Sequence, residues 1–205
     1  MSVARNGLLI DFGGVLTSNV FESFADFCRA EGLAPDTVRD RFMGDPEARG
    51  LLGELETGKL TNAEFEPRFA AILGVRDAEG LIGRLFAGMR PDERMFDAVA
   101  AARRAGIRTG LVSNSWGEEG YDRTRFAELF DAVVISGEIG IRKPAREIYT
   151  LAAERLGREP ARCVFVDDLA GNLKPARAIG MATVLHRDAD ATLAELERHL
   201  GVSLR

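Results

Sequence analysis

The chain has 205 residues and a formal net charge of −5, with 46% hydrophobic and 29% charged residues. This balance is typical of a globular protein with a sizeable core, so it excludes a wholly disordered chain. The acidic charge excludes the basic face that a nucleic-acid-binding protein needs, so no nucleic-acid partner is expected.

Apolar stretches in the sequence are short. None reaches the roughly 18 residues of a membrane-spanning helix, so no membrane segment is expected. The N-terminal stretch "MSVARNG" shows no signal peptide, so we predict a cytoplasmic location. The two cysteines, Cys28 and Cys163, lack metal-binding spacing, so buried and reduced thiols are expected.

Five short β-rich runs occur along the chain, and helical patterns separate the later ones. This alternation predicts parallel βαβ units, and therefore an α/β fold with a doubly wound, Rossmann-like parallel sheet. The predicted strands cover residues 7–10, 107–113, 132–136, 163–167 and 182–185. The predicted helices among and around them cover residues 92–105, 122–129, 145–156, 172–179 and 190–200.

Residues 17–90 interrupt this alternation because they contain no strand pattern. Apolar residues recur there at helical spacing, which predicts an all-helical insertion directly after the first strand. The predicted domains are therefore a core of residues 1–16 and 91–205 and a helical insertion of residues 17–90. We interpret the regularly spaced apolar positions as a helix-bundle core. They are Phe21, Phe24, Phe27, Cys28, Phe65, Phe69 and Ile72.

Polar residues lie at the ends of four of the five predicted strands. Ligands of open α/β sheets bind at the carboxyl ends of the strands, so we expect these polar clusters to meet in one crevice. The clusters are Asp11, Ser113 with Asn114, Ser136 with Gly137, and Asp167 with Asp168.

The first cluster is a carboxylate followed closely by two glycines. At the end of a buried strand, Asp11 needs a cation or hydrogen-bond donors, unless it only caps the following turn. Gly13 and Gly14 allow a tight turn whose N–H groups can bind an anionic phosphate. Asp11 is therefore a candidate nucleophile or metal ligand.

The next two polar positions add hydrogen-bond donors and a cation. Ser113 and Asn114 can donate to a phosphoryl oxygen, or they can form a turn or a helix cap. Lys143 is either an exposed side chain or the charge that lies between a carboxylate and a phosphate.

The last cluster is an acidic pair. Asp167 and Asp168 repel each other, and Asn172 follows four residues later, so these oxygen ligands are typical of a Mg²⁺ site. The chain has only two histidines, so we expect neither a histidine-based zinc site nor a histidine-containing triad.

An aspartate, a serine, a lysine and an acidic pair, in this order, resemble the motifs of the haloacid dehalogenase-like (HAD) hydrolase superfamily. The stretches "GIRKPAREIY" and "VFVDDLAGNLKPARAIGMATVL" are similar to the N-terminal phosphatase domain of soluble epoxide hydrolases and its bacterial single-domain relatives. The resemblance covers the whole chain and implies a HAD core with a small all-helical cap after the first strand. Epoxide hydrolysis is not implied, because that half of those enzymes would need far more chain.

The resemblance also implies a role for each motif residue. Asp11 would attack phosphorus and form an aspartyl-phosphate, and Lys143 would bridge Asp11 and the phosphate. The predicted substrate is a small-molecule phosphate ester, whose phosphoryl oxygens would be held by Ser113, Asn114 and the Gly14 turn. The predicted Mg²⁺ ligands are Asp11, the Gly13 carbonyl, Asp168 and, through water, Asp167, with Asn172 in support.

Gly13 stands where this family normally carries a second aspartate. At that position the backbone carbonyl binds the metal, and the carboxyl protonates the leaving alkoxide and then activates water. Glycine keeps the carbonyl but loses the proton transfer, which contributes roughly 10²–10⁴-fold to such reactions. The electrostatic and metal contributions remain available.

Three hypotheses follow from this glycine. The first, which we favour, is a Mg²⁺-dependent phosphatase for a small phosphorylated metabolite whose leaving group needs little protonation, such as an anomeric sugar, acyl or aryl phosphate. A related HAD branch that has glycine at this position and acts on sugar 1-phosphates resembles this chain. The second is a 2-haloacid dehalogenase, against which the intact acidic pair argues. The third is a catalytically weak or inert protein that binds a phosphorylated ligand.

Several features stay open from sequence alone. A substitute proton donor could come from the polar run Thr17-Ser18-Asn19, from the insertion or from water. The chain could be a monomer or a homodimer, and the identity of the substrate is not predicted. Candidates for the residues that face the crevice are Phe21, Phe24, Arg41, Phe42, Met43 and Trp116.

Overall fold

A five-stranded parallel sheet forms the centre of the protein. The computed structural model describes residues 4–117 and 121–205. The strand order β3-β2-β1-β4-β5 places β1 in the middle, and the chain changes direction across the sheet between β3 and β4. This is the doubly wound α/β fold that the sequence predicted. The strands are β1 (Gly7–Ile10), β2 (Arg108–Ser113), β3 (Ala132–Ile135), β4 (Cys163–Asp167) and β5 (Ala182–Leu185).

Helices cover both faces of the sheet. Successive strand residues point to opposite sides, so each face presents apolar side chains that need to be covered. Leu8 and Ile10 of β1 belong to one buried cluster, while Leu9 belongs to a second cluster on the other face. Helices α6 (Glu93–Arg104), α7 (Arg123–Leu129) and α11 (Ala189–Leu200) contribute to the first cluster, and α9 (Arg146–Arg155) and α10 (Ala170–Ala178) contribute to the second.

The helical insertion between β1 and α6 contains five helices and has its own buried cluster. Phe24, Phe27, Cys28, Phe65 and Phe69 lie in that cluster, as their helical spacing predicted. An isolated bridge between Thr17 and Pro91 joins the two ends of the insertion. The five helices are α1 (Val20–Ala30), α2 (Thr37–Gly44), α3 (Pro46–Glu56), α4 (Asn62–Leu73) and α5 (Leu81–Phe86).

The structure differs from the predicted elements at a few positions. The strand predicted for 132–136 ends at Ile135, because Ser136 begins the short helix α8 (Ser136–Ile139). Phe21 was predicted to lie in the bundle core, but it is 36% exposed. Both cysteines are buried and free. Within the described residues, no helix combines the length and the apolar character needed to cross a membrane.

Candidate active site

The carboxyl ends of three adjacent strands bring the first polar residues of the site together. Asp11 directly follows β1, and its amide donates to the carbonyl oxygen of Val166 in β4 at 3.0 Å. Ser113 is the last residue of β2, and Asp167 is the last residue of β4. Since β1 pairs with both neighbours in parallel register, these three side chains lie at the same edge of the sheet.

Lys143 connects two of the carboxylates from the loop between α8 and α9. Its Nζ lies 2.7 Å from Asp11 Oδ1 and 2.7 Å from Asp167 Oδ2, and the lysine is only 2% exposed. A buried ammonium is stable only when it is paired in this way. Lys143 is thus an internal cation of the site rather than an exposed side chain.

Both carboxylate oxygens of Asp167 accept hydrogen bonds from the protein. Its Oδ1 accepts from the Leu169 amide at 2.8 Å and from Asn172 Nδ2 at 2.9 Å, and its Oδ2 also accepts from Lys143. Asp168 makes no hydrogen bond to another side chain among the described residues and is partly exposed to the crevice. The two neighbouring acids therefore differ, since Asp167 is engaged with the protein and Asp168 is free to bind a ligand.

Burial dominates the electrostatics of this cluster. It raises the pKa of Asp11 well above its ordinary value, against the opposing charge of Lys143. Burial and the Asp167 charge raise the pKa of Asp168 to about 6. Burial alone would lower the pKa of Lys143, but the charges of Asp11 and Asp167 outweigh it and raise that pKa. The lysine is therefore protonated at neutral pH.

The acidic cluster has the composition of a site for a divalent cation. Oxygen atoms of Asp11, Asp167 and Asp168 lie within 4.8 Å of one another. When ionised, the three carboxylates and the Lys143 ammonium carry a net charge of −2, which the two positive charges of Mg²⁺ would neutralise. All the side-chain donors are oxygens, as Mg²⁺ requires. The residues present therefore fit this ion.

The predicted phosphate-binding residues are partly engaged with the protein itself. Asn114 Oδ1 accepts from the Lys143 amide at 2.8 Å, and Asn114 Nδ2 donates to the Lys143 carbonyl at 3.1 Å. The Gly14 amide donates to Thr17 Oγ1 at 3.0 Å. The Asn114 side chain thus fixes the loop that carries Lys143, and Gly14, with φ +74°, forms the turn beside Asp11.

A cavity of about 490 Å³ lies above this cluster and extends into the helical insertion. Most of its wall is apolar, although Asp11, Gly13, Ser113, Lys143 and Asp168 lie at one end. Of the side chains that the sequence left open, Arg41 does not line it and is near Asp45 instead. Those that do line it are Phe21, Phe24, Phe42, Met43 and Trp116.

Sequence reasoning did not single out several residues that line the cavity, among them Glu56 and Tyr121. Glu56 comes from the end of α3 and is paired with Arg142, and burial raises its pKa despite that arginine. Tyr121 precedes α7, and its hydroxyl lies 3.0 Å from Ser113 Oγ. Neither residue belongs to a sequence pattern that would have pointed to the site.

The polar run after the first strand has structural partners. Thr17 Oγ1 accepts from Gly14, Ser18 Oγ accepts from the Arg90 amide at 3.0 Å, and Asn19 caps α1. None of these three residues lines the cavity. They hold the connection between the sheet and the insertion.

Comparisons with known proteins give consistent results. A family model described as haloacid dehalogenase-like hydrolase matches residues 6–180. The chain is 37% identical to bifunctional epoxide hydrolase 2 of Rattus norvegicus, over 93% of this chain and 38% of that protein. It is 28% identical to a sesquiterpene phosphatase of Aspergillus oryzae, over 72% of this chain and 78% of that protein. The chain thus spans little more than a third of the length of the rat epoxide hydrolase.

Solved structures share the fold. A HAD family enzyme from Bacteroides thetaiotaomicron, solved as a magnesium complex, superposes with a TM-score of 0.70. The match covers 96% of this chain and all of that one, at 23% sequence identity. At this identity the likeness concerns the fold alone.

Proposed function

Since the chain belongs to the haloacid dehalogenase-like hydrolase family, we propose that it is a Mg²⁺-dependent phosphatase that forms an aspartyl-phosphate on Asp11. The observation that carries this proposal is Lys143, which is held 2.7 Å from both Asp11 and Asp167 at the carboxyl end of the sheet. This arrangement puts a buried cation beside a buried carboxylate at the polar end of a cavity. A phosphate ester fits such a site.

The first step is the attack of Asp11 on phosphorus. One Asp11 oxygen forms the new bond while the ester oxygen departs with the bonding electrons as an alkoxide or phenoxide. The Phe12 amide and Lys143 both donate to Asp11 Oδ1, which fixes the carboxylate plane. Water then attacks the phosphorus of the aspartyl-phosphate, releasing inorganic phosphate and restoring Asp11.

Asp11, Asp168 and the Gly13 carbonyl would hold Mg²⁺, and Asp167 would do so through water. When bound, the ion neutralises negative charge on the transferring phosphoryl group. Lys143 adds a second positive charge on the side of Asp11. Ser113 donates a hydroxyl proton to a phosphoryl oxygen, and Asn172 keeps Asp167 in place through bonds of 2.9 and 3.1 Å.

Gly13 supplies no proton for the leaving group. We therefore propose that the preferred esters have good leaving groups, or that a water in the crevice delivers the proton. The same glycine favours a second candidate function, that of a catalytically weak or inert protein that binds a phosphorylated ligand. The two functions share the binding site and differ in turnover.

The cavity supports an apolar organic group on the substrate. Its volume of about 490 Å³ matches a medium-sized ligand, and Phe24, Phe42, Phe86 and Trp116 form an aromatic wall. A relative named as a sesquiterpene phosphatase is consistent with this choice. We propose a phosphate monoester of an apolar alcohol or phenol.

The test is a panel of phosphate esters assayed with and without Mg²⁺. We expect the wild-type protein to hydrolyse 4-nitrophenyl phosphate only when Mg²⁺ is present. Asp11→Asn retains the size of the side chain but is a very poor nucleophile, so it should reduce turnover by at least about 10³-fold. The control is Asp26→Asn, an exposed acid in α1 that lies outside the site.

Each other outcome has a definite meaning. Binding of inorganic phosphate without turnover of any ester would favour the inert binding protein. Metal-independent release of chloride from 2-chloropropionate would replace the phosphatase with a dehalogenase. Equal turnover by the wild type and by Asp11→Asn would contradict the aspartyl-phosphate.

A further inference from the structure

The Ser113 hydroxyl has a neighbour that the family motif does not include. Its Oγ lies 3.0 Å from the Tyr121 hydroxyl and 3.3 Å from the Asn114 carbonyl oxygen. Either hydroxyl could donate in the shorter contact, but a bond to the Asn114 carbonyl, which can only accept, uses the single Ser113 proton. Tyr121 is then the donor of the shorter bond, and Ser113 Oγ is its acceptor.

Tyr121 is held firmly in this position. Its ring centroid lies 5.1 Å from that of Phe12 and 5.8 Å from that of Phe126. The Arg123 guanidinium lies 5.4 Å from the same ring. Asp122 caps α7 through the Arg125 amide at 3.0 Å, which fixes the backbone next to the tyrosine.

The chemistry of the phenol suits a permanent donor. Burial raises the pKa of Tyr121 to about 12, so its proton is retained throughout the pH range of an enzyme assay. Ser113 is 2% exposed, so bulk water does not compete freely for its hydroxyl, and Tyr121 lines the same cavity.

We propose that Tyr121 is a positioning residue that donates to Ser113 Oγ and thereby directs the Ser113 proton towards a phosphoryl oxygen in the cavity. The long bond of 3.3 Å to the Asn114 carbonyl is the one that is exchanged when phosphate arrives. Tyr121 itself does not contact the phosphate. This inference rests on the proposed function, because it assigns the phosphoryl group to Ser113.

The experiment compares Tyr121→Phe, Ser113→Ala and the double variant. Inorganic phosphate is the probe, titrated calorimetrically in the presence of Mg²⁺. Loss of one oriented hydrogen bond predicts that Tyr121→Phe weakens phosphate binding about three- to tenfold. In the Ser113→Ala background the same change should weaken it less than about twofold, because the tyrosine acts through the serine.

Tyr149→Phe is the matched control. Tyr149 is also a buried tyrosine, but its hydroxyl has no hydrogen-bond partner among the described residues and it does not line the cavity. We expect its phosphate affinity to equal that of the wild type. Phenylalanine preserves the ring packing of Tyr121, and thermal melting of each variant verifies that the fold is retained.

The outcomes separate this inference from the proposed function. Unchanged phosphate affinity in Tyr121→Phe overturns the inference, as does an equal loss in both backgrounds. A wild type that binds phosphate but hydrolyses no ester contradicts the phosphatase alone, and the binding cycle still decides the role of Tyr121. A wild type that binds no phosphate contradicts both.

Discussion

Gly13 has room for the carboxylate that it lacks. A Cβ built at Gly13 has one neighbour within 4 Å, Val20 Cγ2 at 3.2 Å, and small shifts relieve that contact. We expect Gly13→Asp to increase the hydrolysis rate of alkyl phosphates by about 10²-fold, since these poor leaving groups need a proton. Rates on 4-nitrophenyl phosphate should change much less. An unchanged ratio between the two rates would mean that another group already supplies the proton.

Gly14 is the matched position at which a side chain does not fit. Its φ is +74°, and a Cβ there would lie 2.4 Å from Asp168 Oδ2. Gly14→Ala should therefore lower the free energy of unfolding by about 1–3 kcal/mol. It should also weaken the response to Mg²⁺, because Asp168 must move. Denaturant unfolding with and without Mg²⁺ measures both effects, and a fully wild-type response would contradict the turn geometry.

The raised pKa of Asp168, about 6, predicts how Mg²⁺ binding depends on pH. An ordinary aspartate titrates near 3.9, so between about pH 4 and 6 the folded state retains a proton that the unfolded chain has lost. Without metal, this group therefore makes the protein less stable as pH rises through that range.

Mg²⁺ binds the ionised carboxylate, so its affinity should fall about tenfold per pH unit below pH 6. Thermal melting at pH 5.0 and pH 7.5, with and without Mg²⁺, provides the measurement. We expect stabilisation by Mg²⁺ at pH 7.5 and little at pH 5.0. Asp168→Asn should reduce the difference, with Asp11, whose pKa is also raised, contributing the rest, and equal stabilisation of the wild type at both values would exclude the Asp168 carboxylate as a ligand.

The sequence could predict those site residues that lie at the ends of predicted strands. Asp11 and Asp167 end strands, and parallel strands bring their ends together, so a strand prediction is also a prediction of proximity. Tyr121 could not be found in this way, because its contact with Ser113 depends on the path of an irregular segment. Glu56 could not be found either, because it reaches the cavity only through the docking of α3, and hydrophobic periodicity does not predict where a helix docks.

The elements of the sheet were predictable for a physical reason. Strands buried on both faces are continuous apolar runs, so β1 and β4 match the predicted residues, and the partly exposed edge strand β5 matches them as well. Helix α8 was missed because four residues are too few to show a helical period. Phe21 has the spacing of a core residue, but α1 turns that face towards the cavity.

The end of helix α3 is tied to the loops of the site. Ser136 Oγ donates to the Glu56 carbonyl and accepts from the Ser115 amide at 2.8 Å, while Arg142 pairs with the Glu56 carboxylate. Ser115 follows Asn114, and Arg142 precedes Lys143. Docking of α3 therefore stabilises both loops.

Removal of the Glu56 charge should loosen this docking. In Glu56→Gln a buried group loses its charged partner, so we expect the free energy of unfolding to fall by about 1–3 kcal/mol. Glu54→Gln is the control, since this exposed residue of α3 lies 3.7 Å from Arg68 and should contribute less than about 0.5 kcal/mol. Equal effects in the two variants would contradict a special role for Glu56.

On the scale of the whole molecule, the exposed large hydrophobic side chains lie around one cavity. The large hydrophobic residues that are exposed in the described part of the chain are Phe21, Met43 and Leu169, and all three line the cavity. Solvated apolar groups at a cavity mouth are typical of a binding surface. Leu169 borders the acidic cluster, whereas Phe21 and Met43 come from helices α1 and α2 of the insertion, so the cavity is suited to a molecule with an anionic group and an apolar group.

This polarity predicts a dependence on the length of the substrate. In a series of primary alkyl phosphates, each methylene group buried against the wall contributes up to about 0.8 kcal/mol, so kcat/KM should rise up to about fourfold per methylene. Met43 is 70% exposed, so Met43→Ser should leave the fold intact while flattening the rise for the longest chains. Short esters should be hydrolysed equally by both proteins, because they do not reach the mouth. A flat series in the wild type would assign the apolar wall to packing between the core and the insertion, and would exclude an apolar substrate.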